Sequence, residues 1–222
     1  MTKVITLPDL KNDPQVQAYI KRADENLAVV GYTEHGKRHC GLVAKMAKQT
    51  LLELGVPERE AELSAIAGYL HDIGNVINRI NHPYTGAVLA HTLLQDMGMD
   101  IDEITTIVAA IGNHDDDGWE PVSRVSAGLI LADKSDVHRS RVRNADMIKF
   151  DIHDRVNYAV NRSFLKVDNE TETISLHLSI DLDISSVMEY FEIFLSRMLY
   201  CKRAANFLGS RFRLIVNENT LS

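Results

Sequence analysis

Five segments of this chain carry apolar residues spaced three and four positions apart, and each of these five stripes continues onto a histidine or an aspartate. Apolar residues at this spacing predict an amphipathic helix whose apolar side faces the core. The polar side chains that extend the stripes should therefore point into the interior, at or near an end of each apolar run. These residues are His39, His71, His82, His114 and Asp133.

One stripe ends on a doublet, because His71 is followed directly by Asp72 and the helix stops near Gly74. Adjacent side chains reach the same point only at a helix end, where the chain turns. A single histidine on an apolar stripe is more often a hydrogen-bonded core residue than a ligand. A buried carboxylate, in contrast, is costly unless a cation or several donors meet it. Two carboxylates that converge with several imidazoles are typical of a site for a divalent metal ion.

The periodicity predicts a mainly α-helical fold up to about residue 137. Glycine, proline and aspartate separate the helices, as expected of helix ends and turns. Residues 115–118, three aspartates and a glycine, must form a loop. The six expected helices cover residues 15–30, 34–54 and 59–72, then run from Pro83 to about 98, from Asp100 to about 114, and from Pro121 past Asp133.

The pattern changes after about residue 146. Residues 156–167 alternate loosely and residues 173–180 alternate clearly between apolar and polar, so they predict a β-hairpin. A helix capped by Ser185 follows, and residues 212–216 have the pattern of a last short strand. The expected organisation is therefore a helical domain over residues 1–145, with a small β-β-α-β appendage packed on it over residues 146–222.

Composition limits the partners of the chain. Its 222 residues have a formal net charge of −7, so no basic field attracts a nucleic acid polymer or an anionic membrane. A small anionic substrate would need local positive charge from a metal ion or arginine. Cys40 and Cys201 are far apart and do not imply a disulfide framework. Neither a signal peptide nor a transmembrane segment is recognisable, so we expect a cytoplasmic protein.

His39, the doublet His71-Asp72 followed by Ile73-Gly74, and Asp133 after Leu131-Ala132 resemble the HD superfamily of metal-dependent phosphohydrolases. The resemblance covers about residues 30–145. In that family, which has a helical-bundle fold, the four residues bind one metal ion. Some branches hold a second ion through two more histidines, and His82 and His114 fall at those positions. The resemblance implies one or two divalent ions, iron, manganese or similar, held by His39, His71, Asp72, His82, His114 and Asp133.

The chain departs from particular branches of that family. Asn75 stands where many members have a lysine, which removes one candidate phosphate contact. His114-Asp115 occupies a position where branches that hydrolyse cyclic dinucleotides often carry paired histidines, and their Gly-Tyr-Pro motif is missing. The small nucleotide-hydrolysing members are closer in layout. They carry an arginine about six positions after the last aspartate, where this chain has Arg139.

The resemblance implies hydrolysis of a nucleotide or a related small phosphorylated metabolite by a metal-activated water. With two ions, Asp72 would bridge them, which makes it the candidate catalytic residue. Because an arginine fork matches phosphate geometry, Arg139 is the first candidate for substrate binding, with Lys134 and Arg143 beside it. A solvated helix end is an equal alternative for Arg139. It is the stronger interpretation for Arg141 and Arg143.

Residues near these candidates leave further alternatives open. Arg38 and His35 flank His39 and could reach the site, although a role outside it is the stronger interpretation for both. Asp115 could be a ligand or could hydrogen-bond the ligand histidines. Trp119 could be part of a lid that stacks on a nucleobase, or it could simply anchor its loop, which is the more common case.

Three functional interpretations follow from these observations. The first is the phosphohydrolase. The second is a non-catalytic sensor that binds a nucleotide or a metal ion in the same pocket, although a pure binder has no need of an activated water. The third is a structural helical bundle with scattered histidines. A homodimer formed through the strongly apolar C-terminal helix is a secondary hypothesis.

Overall fold

Several of the helices begin at side chains that satisfy otherwise free backbone N–H groups. In the computed structural model, which describes residues 3–115 and 120–221, Asp13 accepts hydrogen bonds from the N–H groups of Gln15 and Val16 at 2.8 and 3.0 Å. Ser123 accepts one from Ser126 at 3.1 Å. The α-helices are α1 (Leu7–Asn12), α2 (Pro14–Val29), α3 (Lys37–Glu53), α4 (Glu58–Leu70), α5 (His82–Asp96), α6 (Ile101–Gly112), α7 (Arg124–Ser135), α8 (Ile152–Ala159) and α9 (Val187–Phe207).

The six helices expected before residue 140 correspond to α2 through α7, so the helical fold class is confirmed. Helix α1 was not predicted, because its six residues are too few to show a clear apolar period. A capping box formed by Thr6 and Asp9 starts it, and Leu10 is buried. Three short 3-10 helices join the longer ones, at Ile73–Val76, Arg139–Arg141 and Ala145–Lys149.

The prediction that the first strand begins at residue 156 is wrong. Residues Ile152–Ala159 form α8 instead, because Asp151 caps it by accepting from the N–H groups of His153 and Asp154. Val156 and Ala159, three positions apart, face the core from one side of this helix. The strands of the structure are β1 (Val160–Asp168), β2 (Thr173–Ile180), β3 (Arg211–Val216) and β4 (Asn219–Thr220).

The four strands form one sheet in the order β1-β2-β3-β4. Strands β1 and β2 are the predicted antiparallel hairpin, and β3 runs parallel to β2. A parallel neighbour requires a crossover connection, which α9 supplies. The expected β-β-α-β appendage is therefore present, and the short strand β4 adds to its edge.

Helix α7 contributes residues to both large clusters of the hydrophobic core. Val125, Leu129 and Ala132 belong to a cluster with residues of α1 through α6. Ala127 and Ile130, on another side of α7, belong to a cluster with α9 and the sheet. Helix α7 is buried on nearly all sides, and most of its buried residues are accordingly apolar. The division of the chain at residue 145 remains a prediction, and the second cluster crosses it through α7.

Helix α9 covers the sheet with part of its apolar surface. Phe194 and Met198 are buried, whereas Met188, Leu195 and Leu199 are exposed to solvent by half or more. The homodimer suggested for this helix stays a prediction. Among the helices within residues 3–115 and 120–221, none combines the length and apolar character needed to cross a membrane.

Candidate metal centre

The ends of five helices meet at one place in the helical part. His39 is the third residue of α3, and His71 and Asp72 follow α4 directly. His82 is the first residue of α5. His114 follows α6, and Asp133 lies in the last turn of α7. The site residues taken from the apolar stripes thus converge, and all except Asp133, which is slightly exposed, are buried.

Four of these side chains surround a single point. The Nε2 atoms of His39 and His71 are 3.2 Å apart. Asp72 Oδ2 lies 3.0 Å from Nε2 of His71 and 3.5 Å from that of His39. Asp133 Oδ1 lies 3.3 Å from Nε2 of His39 and 3.5 Å from that of His71. Ligand atoms about 2.1 Å from a shared ion stand roughly 3.0–3.4 Å apart, so this spacing suits one metal ion.

A second group uses the other oxygen of Asp72. Asp72 Oδ1 lies 3.5 Å from Nε2 of His82. The Nε2 atom of His82 in turn lies 3.3 Å from Nε2 of His114. His114 also stands beside the first group, because its ring centroid is 5.0 Å from that of His71. The groups His39–His71–Asp72, His71–His114–Asp133 and Asp72–His82–His114 each bring their ligand atoms close enough to hold an ion.

All four imidazoles are oriented in the same way, by a hydrogen bond at Nδ1. Each Nδ1 atom is engaged outside the cluster, which leaves Nε2 to face the other ligands. Nδ1 of His39 is bound by the carboxylate of Asp136 at 2.6 Å. The other three Nδ1 atoms are bound by backbone carbonyl oxygens: that of His71 by Gly68 at 2.9 Å, that of His82 by Arg79 at 3.0 Å and that of His114 by Ile111 at 2.6 Å. With Nδ1–H donating, each neutral ring presents a lone pair to the centre.

This arrangement needs a cation. While the rings of His39 and His71 are neutral, Asp72 Oδ2 is fully buried with no hydrogen-bond donor among the described residues, because the lone pairs of both imidazoles face it. Burial would lower the pKa of His71, but the carboxylates of Asp72 and Asp133 raise it to about 10. A proton on His71 therefore supplies positive charge when no ion is bound. The donor set, imidazole with carboxylate, fits a divalent ion in place of that proton.

The second group depends on a close approach of α5 to the turn after His71. A Cβ atom at Gly74 would overlap the carbonyl oxygen of His82 and crowd the backbone of Gly86. Glycine at residue 74 therefore lets α5 approach until His82 reaches Asp72. Asn75, which replaces the lysine of many relatives in the resemblance, donates from Nδ2 to Asp72 Oδ1 at 2.9 Å and holds that carboxylate in place.

Residues 37–139 of the chain match the sequence profile of the HD domain. They form an HD domain. An uncharacterized protein of Methanocaldococcus jannaschii is 26% identical over an alignment that covers 82% of this chain and 79% of that protein. The crystal structure of a predicted HD superfamily hydrolase from an uncultured Thermotogales bacterium is 24% identical, covers 60% of this chain and 75% of that chain, and superposes with a TM-score of 0.45.

Asp136 is a residue of the HD domain that the stripe pattern missed. It follows Asp133 by three positions, and its carboxylate binds Nδ1 of His39, Nη2 of Arg38 at 2.8 Å and Nη1 of Arg141 at 3.5 Å. Burial by itself would raise the pKa of Asp136, but these partners hold it well below its usual range. The signal for it was its spacing from Asp133, which is close to one helical turn.

The three residues proposed to bind substrate occupy different places. Lys134 is buried, and its Nζ lies 3.1 Å from Asp133 Oδ2 and 3.0 Å from Asp115 Oδ1, beside the candidate ligands. Arg139 stacks on the ring of Tyr158, 5.2 Å from its centroid. Arg143 is paired with Asp24 and donates to the carbonyl oxygens of Tyr32 and Thr33.

A cavity of about 360 Å³ lies next to the candidate metal centre, and its lining residues do not include the six candidate ligands themselves. His35 and Arg79, two of its lining residues, connect it to the ligands. The His35 ring stands edge-on to His39 with centroids 5.4 Å apart, and Arg79 Nη1 lies 3.7 Å from Asp72 Oδ1. Arg141 also lines the cavity, whereas neither Arg139 nor Arg143 does.

Arg79 and Asp115 complete the surroundings of the second group. Arg79 Nη1 lies 3.2 Å from Nε2 of His82, and Nη2 lies 3.9 Å from Asp115 Oδ2. Asp115 Oδ2 is itself 3.8 Å from Nε2 of His82. Asp115 therefore lies within reach of this group. Trp119, suggested as part of a lid, lies outside the described residues.

Proposed function

We propose that this protein is a metal-dependent phosphohydrolase that acts on a nucleotide or a related small phosphorylated metabolite. The observation that carries the proposal is the position of Asp72. Its two oxygens lie between two sets of imidazoles, and one of them is buried with no hydrogen-bond partner among the described residues. A carboxylate in this position is typical of a bridge between two metal ions.

The residues divide into two ligand sets. His39, His71, Asp72 and Asp133 would hold one ion, and Asp72, His82 and His114 would hold another. A bound divalent ion lowers the pKa of water toward neutrality and offsets negative charge on phosphoryl oxygens. Imidazole and carboxylate ligands suit iron, manganese, zinc, cobalt and nickel alike, so the donor set leaves the metal open.

The surroundings support a small anionic substrate. For the cation, burial, His71 and His82 lower the pKa of His114 to about 3, so its ring stays neutral and able to bind a metal ion.

For the substrate, Arg79 and Arg141 supply positive charge in the adjoining cavity, where an arginine fork can bind phosphate oxygens. A cavity of about 360 Å³ suits a metabolite better than a polymer. The net charge of −7 also disfavours a nucleic acid partner.

A hydrolysis screen tests the proposal. Purified protein is incubated with nucleotides and phosphorylated metabolites in the presence of manganese, iron, cobalt, nickel or zinc, and phosphate release is measured. We expect turnover with at least one metal and a loss of about a hundredfold or more in Asp72→Ala, since changes in outer-shell partners alone cost 10–100-fold. Asp96→Ala, at an exposed position of α5, is the matched control and should retain full activity.

The sensor interpretation predicts another result in the same screen. A nucleotide would then raise the melting temperature of the wild-type protein while no phosphate is released with any metal. That outcome would contradict the hydrolase and leave a nucleotide-binding role. Turnover that is unaffected by Asp72→Ala would instead place the chemistry outside the candidate metal centre.

A further inference from the structure

The cavity beside the metal centre is built by both parts of the chain. The α2–α3 connection contributes Tyr32 and His35, and the turn before α5 contributes Arg79. The C-terminal elements contribute Asn157 from α8 and Arg197 from α9. The cavity thus extends from His35 and Arg79, which stand beside the candidate ligands, to helices that follow the HD domain. A substrate bound at the metal centre could extend along this cavity toward α9.

Arg141 is an unusual lining residue because it is only 3% exposed. Its Nη1 donates to the carbonyl oxygen of Asp136 at 3.1 Å, but its Nε has no hydrogen-bond partner among the described residues. A buried, charged N–H group without a partner is strongly unfavourable. The Asp136 carboxylate near Nη1 is shared with Arg38 and His39, so it does not by itself offset the positive charge that Arg141 brings to the cavity wall.

Arg197 brings a second guanidinium to the cavity from α9. Its Cζ atom lies 4.5 Å from the centroid of the Phe194 ring. Stacking on an aromatic ring fixes the plane of the guanidinium while its N–H groups remain directed outward along their own plane. Such an arginine is prepared for a planar fork of hydrogen bonds to an oxyanion.

The charges that line the cavity favour an anion. Three arginines, Arg79, Arg141 and Arg197, face two carboxylates, Asp151 and Asp154. Asp151 already accepts from two backbone N–H groups at the start of α8. Burial, together with the nearby charge of Asp151, raises the pKa of Asp154. Positive charge therefore exceeds negative charge in this cavity, although the protein as a whole is acidic.

We propose that this cavity binds a second phosphate group of the substrate, with Arg141 and Arg197 as its ligands. The inference rests on the proposed function and adds a substrate class to it. The reacting phosphoryl group lies at the metal centre, and the second phosphate lies toward α9. The preferred substrates are therefore metabolites that carry two phosphate groups or an oligophosphate chain.

Phosphate binding tests this site without requiring turnover. Inorganic phosphate is titrated calorimetrically into the full-length protein, both as purified and after treatment with a chelator. We expect saturable binding in both forms and a loss of affinity of about tenfold or more in Arg197→Gln, because a charge-assisted hydrogen bond is lost. Arg203→Gln is the matched control: this arginine lies on the same helix but pairs with Glu120 at 3.6 Å, away from the cavity.

Equal phosphate affinity in wild type and Arg197→Gln would overturn the proposal, and so would an equal loss in Arg203→Gln. Urea unfolding of each variant shows whether the fold is retained, and Arg197→Lys offers a milder change that keeps the charge. If the protein also hydrolyses phosphoesters, Arg197→Gln should raise the KM for a nucleoside diphosphate but not that for 4-nitrophenyl phosphate. Phosphate binding that depends on Arg197 in a protein without turnover would refute only the proposed hydrolase.

Discussion

Asp136 Oδ2 lies 2.6 Å from Nδ1 of His39, so the carboxylate holds the imidazole with its other nitrogen facing Asp72 and Asp133. A carboxylate that accepts a hydrogen bond from the outer N–H of a ligand histidine fixes its tautomer and makes it more basic. The relationship also links the metal centre to the arginines, since Asp136 binds Arg38 and Arg141 as well. Asp136 is therefore a positioning residue for the candidate ligand His39.

Replacing Asp136 by asparagine should weaken metal binding. The amide oxygen can still accept the Nδ1 proton of His39, but the negative charge that strengthens this ligand is lost. We expect the Kd for zinc or manganese to rise by about 10–100-fold in Asp136→Asn, as measured by competition with a chromophoric chelator. Asp96→Asn, at an exposed position of α5, should leave the Kd unchanged. Equal affinity in Asp136→Asn and wild type would show that Asp136 does not support the ligand.

Arg79 should oppose binding of the second ion. Its Nη1 lies 3.2 Å from Nε2 of His82 and 3.7 Å from Asp72 Oδ1, so a fixed positive charge stands beside two candidate ligands. Like charges at such distances repel by an energy on the order of a few kcal/mol at an effective dielectric of 20, reduced here by solvent because Arg79 is partly exposed. In Arg79→Gln, we expect the weaker of two metal-binding steps to tighten by about tenfold.

Calorimetric titration with manganese resolves the two steps for this comparison. Arg22→Gln, an exposed arginine on α2, is the matched control and should bind as the wild type does. A second step that is unchanged or weaker in Arg79→Gln would mean that Arg79 stabilises the ligand arrangement instead of competing with the ion.

Glu189 makes the stability of the C-terminal helices depend on pH. Its carboxylate accepts from the N–H of Ser186 and binds Arg155 of α8 at 2.6 Å, and these contacts lower its pKa from 4.5 to about 2. A lowered pKa in the folded state adds stability above the unfolded value, which is lost as pH falls from about 4.5 to about 2. The same contacts hold α8 against α9, and both helices line the cavity.

Urea unfolding at several pH values checks this dependence. At pH 6, Glu189→Gln should unfold at a lower urea concentration than the wild type, and the difference should shrink steadily as the pH is lowered below 4.5. Comparing the two proteins removes the contributions of other carboxylates, which titrate in both. A difference that stays constant down to pH 3 would show that the charge of Glu189 plays no part.

The sequence predicted the helical part of the fold well because helical periodicity acts over many residues. Helices α2 through α7 have apolar stripes long enough to reveal their buried sides, and the residues that extend those stripes converge in the structure. Local signals failed where two structures compete over a short stretch. Residues 156–159 resemble a strand, but a cap at Asp151 and two buried residues one turn apart make them helical.

The surroundings of the site could be predicted less well from the sequence, because they depend on contacts between residues that are distant along the chain. Arg139 has the spacing of a phosphate ligand, but the chain turns into a short 3-10 helix after α7, and the side chain stacks on Tyr158. Arg141 and Arg197, more than fifty positions apart, line the cavity instead, and the substrate role expected of Arg139 stays a prediction. No periodic pattern connects these two residues, and the packing of α9 and α8 against the end of the HD domain brings them to one cavity.

Metal analysis tests most directly whether the clustered residues hold a cation. Wild-type protein and Asp72→Ala are stripped with a chelator, incubated with manganese, iron or zinc, freed of excess metal and measured by elemental analysis and thermal melting. We expect the wild type to take up one to two equivalents and to melt at a higher temperature with metal than without, whereas Asp72→Ala should retain little metal. Equal uptake by both proteins, or no uptake and no melting shift in the wild type, would contradict a metal centre at Asp72.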